Sequence, residues 1–127
     1  MIKVTAFAFT GYPVTDLARA RAFYEQLLGL KPATAWEGDG KGWIEYEVGD
    51  GCLAITNSSA DDWQPSANGP CLALEVADFA ATVAALRAAG VRFKMEPMEF
   101  PPCHFVAVFD PDGNQLIIHH RKAAAQS

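Results

Sequence analysis

The sequence predicts an α+β protein built from two tandem βαβββ modules, and two observations carry that expectation. Landmarks of the first half recur 62 residues later: Asp16 and Asp78 each precede a helical stretch, and Asp50-Gly51 and Asp112-Gly113 each separate two strand-like runs. Val14 likewise answers to Val76, Trp43 to Phe105, Ile44 to Val106 and Ile55 to Ile117, whereas Gly29 and Gly90 depart from that register by one residue. A repeat of this length holds a whole supersecondary unit. Two copies of it predict a pair of small sheets facing each other as a half-barrel, with a ligand site in the cleft between them.

Residues 3–12 alternate and are rich in Val, Thr and Phe, which predicts a first strand ending at Gly11-Tyr12-Pro13. Thr15 or Asp16 then caps a helix in which Leu17, Ala20, Tyr24, Leu27 and Leu28 follow the 3.6-residue period, with Gly29 as its terminator. Strands follow at about 31–36, 43–48 and 52–57, the last two joined by Gly49-Asp50-Gly51. Asp61, Asp62, Pro65, Asn68, Gly69 and Pro70 supply only turn chemistry, so residues 61–70 are the expected linker. Module one is thus placed at about 3–60 and module two at about 71–120, together forming one domain over residues 1–127.

In module two a strand at 71–76 leads to a helix capped by Asp78, with Phe79, Val83 and Leu86 on its buried face and Gly90 at its end. A short strand is expected at 92–95. The following segment, 96–102, contains three prolines and reads as an extended loop able to cover a cleft. Residues 105–109 and 114–119 form the closing pair around Asp110-Pro111-Asp112-Gly113.

With 127 residues, half of them hydrophobic, the chain has material for one core of ordinary size. Its net charge of −5 is spread without blocks, which argues against nucleic acid or an anionic membrane as partner. Three cysteines without C-x-x-C spacing argue against a disulfide framework and a zinc ribbon. A reducing cytoplasm fits best, since the first residues lack signal-peptide character and no window suits a membrane span.

The run from Tyr12 through Asp16-Leu17-Ala18-Arg19 and Phe23-Tyr24 to Leu28-Gly29-Leu30 resembles the first helix motif of the glyoxalase/bleomycin-resistance/extradiol-dioxygenase superfamily, the vicinal oxygen chelate proteins. Leu74-Glu75-Val76-Ala77-Asp78-Phe79, Leu86-Arg87-Ala88-Ala89-Gly90-Val91 and Phe109-Asp110-Pro111-Asp112-Gly113-Asn114 resemble the second helix and closing hairpin of the same family. The resemblance implies the fold. It also implies four metal-ligand positions, and here they hold Phe9, Ala54 or Ile55, Cys71 and Ile117. Those side chains lack the donors a divalent cation needs, so no metal and no other cofactor is expected.

Taking those positions as markers of the inward face, strand alternation places Thr5, Phe7, Phe9, Trp43, Glu45, Glu47, Leu53, Ile55, Asn57, Cys71, Ala73, Glu75, Phe105, Ala107, Phe109, Gln115, Ile117 and His119 toward the cleft. Phe7, Phe9, Trp43 and Phe105 are candidates to sandwich a planar ligand. The same side chains also suit a plain core. Ile55, Cys71 and Ile117 would line the remainder, and Glu45, Glu75 and His119 are the catalytic candidates, or the donors of a rebuilt metal site. Cys71 is better read as a small buried hydrophobe than as a nucleophile. His119 and His120 are consecutive and point to opposite faces, His104 is assigned to a loop surface, and Trp36 and Trp63 are expected away from the site.

The function expected is binding of a small aromatic or amphipathic molecule, as in drug or metabolite resistance, by a homodimer. The alternatives are a lyase, isomerase or dioxygenase-like enzyme of the same superfamily, and a regulatory domain whose aromatics serve dimerisation.

Overall fold

The structure, a computed structural model, describes residues 1, 3–58 and 63–122. The chain divides into two compact units, Met1–Pro65 and Ser66–Ser127, and the division falls within the expected linker. Residues 61 and 62 of that linker lie outside the described residues. No helix among the described residues is long and apolar enough to cross a membrane.

The first unit contains β1 (Thr10–Pro13), α1 (Leu17–Arg21), β2 (Pro32–Gly38), β3 (Lys41–Val48) and β4 (Gly51–Thr56). Its sheet has the order β1-β4-β3-β2, with β1 parallel to β4 and the other pairs antiparallel. The second unit contains β5 (Leu72–Glu75), α2 (Phe79–Ala88), β6 (Met98–Phe100), β7 (Cys103–Phe109) and β8 (Gln115–Arg121), in the order β5-β8-β7-β6. Each unit is therefore a βαβββ module.

The repeated aspartates cap the helices: the Asp16 carboxylate accepts from Arg19 N and that of Asp78 from Ala81 N, both at 3.0 Å. Gly29 and Gly90 end them at φ 74° and 77°, a left-handed backbone that favours glycine. The first helix carries one more residue between cap and glycine than the second. It absorbs the surplus by widening after Arg21 into a π-helical stretch, Ala22–Leu27, where Leu28 N donates to Phe23 O five residues back. The wider turn lets the consecutive Phe23 and Tyr24 both reach the core.

Ile44, Tyr46, Leu53 and Ile55 are fully buried on the helix side of the first sheet, each contributing on the order of 1.5–3 kcal/mol by leaving water. Tyr24 stacks on Tyr46, whose hydroxyl donates to Glu25, and Arg21 pairs with both Glu25 and Glu37. Burial would push the Glu25 carboxyl up, but the hydrogen bonds from Arg21 and Tyr46 prevail and hold it below the usual range. Leu74, Leu86, Val106, Val108, Leu116 and Ile118 form the core of the second unit. There the buried Asp110 carboxylate ties its turn, accepting from Asp112 N, Asn114 N and Asn114 Nδ2 at 2.9 Å.

Three expectations need correction. The first strand is short: residues 3–9 lie outside the sheet and are exposed, Phe7 completely and Val4 at 85 %. Residues 92–95 make only a bridging pair, Phe93 with Val108. Conversely, the proline-rich segment contains a strand, because Pro97 and Pro101 flank β6 instead of lying in it and β6 is an edge strand.

Candidate functional site

In the first unit the register sorts side chains onto two faces. Ala35, Ile44, Ile55 and Tyr12 form one cross-strand row, and Tyr12, Ile44 and Ile55 are buried with Tyr46 and Leu53 on the helix side. The helix-free face carries Trp36 opposite Trp43, Thr34 opposite Glu45 and Ala54, and Glu47 opposite Cys52. Leu53 and Ile55 were expected on this face and are not there. Alternation within the strand is the same, but Glu45 pairs with Ala54, so the hairpin register differs by one residue from the expected one.

This face gathers several aromatic side chains. Phe9 meets Trp43 edge to face, with centroids 5.2 Å apart. Gly11, in the row of Ala54 and Glu45, leaves room for an indole: a Cβ there would stand 2.8 Å from the Trp63 ring and 3.4 Å from Phe9. Trp36 and Trp63 thus lie on the same face as Trp43, the first near the end of β2 and the second in the linker. Strand parity from Thr34 to Trp36 held the signal for the first, whereas Trp63 lies in turn-rich sequence where no period operates.

Trp43 donates its indole N–H to Glu45 Oε2 at 2.8 Å, fixing the ring and leaving the second carboxylate oxygen for another partner. Beside it is a cavity of about 390 Å³ lined by Thr34, Glu45, Glu47, Asp50 and Cys52 among others, within the roughly 300–1,000 Å³ usual for small-molecule sites. Burial, then Glu45 and Glu47, pushes the Cys52 thiol up and disfavours a nucleophilic thiolate.

In the second unit the helix-free face carries Glu75, His119, Phe105 and Met98 in one cross-strand row, and Ala73, Ile117 and Ala107 in the next. His119 Nδ1 lies 2.6 Å from Glu75 Oε1, and Arg121 N donates to Glu75 Oε2 at 2.6 Å. The Arg121 amide first, then His119, hold the Glu75 carboxyl below the usual range. Phe100 stacks on Phe105 at 5.6 Å. Cys71 is half-buried just before β5. His104 is not a loop residue: it lies in β7 opposite His120 on the helix side, stacked on Phe79.

At the four ligand positions of the family the register selects Ala54 over Ile55, so phenyl, methyl, thiol and aliphatic groups stand there. Such a set does not fit a divalent cation. Among the described residues no three His, Cys, Asp or Glu side chains gather as a metal site.

Residues 6–118 match the family model described as Glyoxalase/Bleomycin resistance protein/Dioxygenase superfamily. No curated protein sequence matches the chain. Among solved structures, TnmS3, an antibiotic binding protein from Streptomyces sp. CB03234, superposes with a TM-score of 0.75 at 20 % identity, covering 96 % of this chain and 100 % of that one. A putative glyoxalase family protein from Bacillus anthracis gives 0.75 at 16 % identity over 96 % and 99 % of the two chains. The fosfomycin resistance protein FosX from Listeria monocytogenes gives 0.73 at 12 % identity over 94 % and 96 %. Identities this low establish shared fold alone. The family match spans nearly all of the repeat, and with it this chain belongs to the glyoxalase/bleomycin resistance protein/dioxygenase superfamily.

Proposed function

We propose that the protein binds a planar aromatic or amphipathic small molecule bearing a positive charge, on the helix-free face of its first sheet. The observation that carries this reading is the gathering of Trp36, Trp43, Trp63 and Phe9 on one face beside the acidic cavity of Glu45, Glu47 and Asp50. Aromatic faces attract both π-systems and cations, and the carboxylates add charge complementarity. Structural likeness to an antibiotic binding protein and to a fosfomycin resistance protein is compatible with drug or metabolite binding. The binding needs no metal, because the side chains at the family's ligand positions offer no adequate donor set.

A homodimer is part of the proposal. Val4 and Phe7 are exposed apolar side chains, and each sheet is open, with β1 and β2 or β5 and β6 as its end strands. Tryptophan fluorescence tests the binding with a panel of planar aromatic amines and their neutral and anionic analogues. Saturable quenching that favours the cations supports the proposal. Quenching equal for all charges removes the role of the carboxylates, and no quenching by any member removes the site.

A further inference from the structure

The second sheet holds chemistry that the first does not. Glu75 is fixed through both oxygens, by the Arg121 amide and by His119 Nδ1. A carboxylate only accepts hydrogen bonds, so Nδ1 donates, and in the neutral ring this leaves Nε2 as a bare acceptor. The His119 side chain is 24 % exposed, open to a ligand yet partly enclosed. Directly across the strand pair stands Phe105, backed by Phe100, while Arg121 lies two residues further along the same face. A proton acceptor oriented by a carboxylate and an aromatic wall occupy one end of one sheet face, with Arg121 next on that side of the strand.

We propose that this is a second ligand site, specific for aromatic hydroxyl compounds, in which the His119–Glu75 dyad acts as general base and holds the ligand as its phenolate. In the step, the ligand O–H bond breaks, its electron pair stays on oxygen and the proton passes to His119 Nε2. The imidazolium keeps its Nδ1–H on Glu75, whose charge offsets it, and the phenolate lies beside the imidazolium and Arg121. The ligand ring rests against Phe105 and Phe100. The site uses second-unit residues alone and does not depend on the reading of the first sheet.

The probes are para-nitrophenol, whose phenolate is yellow, and nitrobenzene, which has the ring but no hydroxyl. They are titrated into the intact protein at the highest pH that keeps free para-nitrophenol mostly un-ionised and at which nitrogen NMR of the unliganded protein shows His119 Nε2 without a proton, with binding read by calorimetry, ionisation by absorbance and the His119 ring by nitrogen NMR. The expected result is yellow bound para-nitrophenol together with protonation of His119 Nε2. His119→Gln loses the yellow signal and roughly tenfold or more in affinity for para-nitrophenol, as for a lost charge-assisted hydrogen bond, while nitrobenzene binding stays as in the wild type. Glu75→Gln, an independent variant, lowers the ionised fraction. Absence of para-nitrophenol binding, bound but colourless para-nitrophenol, or a yellow signal that survives His119→Gln each overturns the proposal. Weak binding of both probes without histidine protonation does so as well.

Discussion

Trp43 links the stability of the first unit to its proposed binding, so graded substitutions there separate the two. Trp43→Phe keeps an aromatic edge for Phe9 but deletes the N–H that reaches Glu45 at 2.8 Å. A hydrogen bond to a charged group is worth ~1.5–3 kcal/mol, and the half-exposed setting here brings that to about 1 kcal/mol. Trp43→Ala also removes the edge-to-face pair, another ~0.5–1.5 kcal/mol, for a total near 2 kcal/mol. At ~4–8 °C per kcal/mol for a unit of this size, the melting temperature should fall by about 4–8 °C for Phe and about twice that for Ala. Affinity for an aromatic cation should fall by ~1–3 kcal/mol in Trp43→Ala, the range for a buried aromatic anchor. Calorimetric melting and ligand titration on the same samples provide both numbers. A Trp43→Ala protein that stays folded and binds like the wild type would refute the assignment of this face.

Ile55→Ala should behave oppositely, losing ~2–5 kcal/mol of stability by creating a cavity under the helix while its folded fraction binds normally; weakened binding without destabilisation would return Ile55 to the ligand face. Because the folded Glu25 carboxyl ionises below its ordinary range, the stability it contributes is full above that range and disappears as pH drops through the lowered value. Acid titration of Glu25→Gln should therefore show a flatter stability profile than the wild type. Burial and Glu25 raise Tyr46, so its contribution is present below ~10 and is lost as pH rises beyond that, which Tyr46→Phe should abolish in alkaline titration. Light scattering should give twice the chain mass at micromolar concentration, and a strict monomer would remove the homodimer. Elemental analysis after growth in metal-supplemented medium should find far less than one metal per chain, whereas near-stoichiometric zinc, nickel, iron or manganese would contradict metal-free binding.

The architecture was legible because its determinants are local. Asp16, Asp78, Gly29 and Gly90 mark helix ends by backbone chemistry, and the one-residue mismatch between copies became the π-helical stretch of the first helix. Strand faces in the second unit followed from alternation once the family's ligand positions marked one side, and Glu75, Phe105, Ile117 and His119 do share a face. Register was less legible. Sequence alternation fixes which residues share a face within a strand, but only the paired backbone decided that Ala54, not Ile55, stands opposite Glu45. Residues 3–9 have strand-like alternation without a partner strand in their own unit, and pattern cannot reveal a missing partner. Trp63 reaches its place through Gly11, a tertiary fit between distant segments that no period encodes.

Titrating the protein with a planar aromatic amine while following the three tryptophan indole N–H signals by NMR tests the central claim most directly. The account predicts saturable shifts of Trp36, Trp43 and Trp63 with one common dissociation constant, and unchanged signals from Ile44 and Ile55 beneath the helix. Unmoved indole signals at saturating ligand, or shifts centred on the Ile44 and Ile55 side of the sheet, would contradict it.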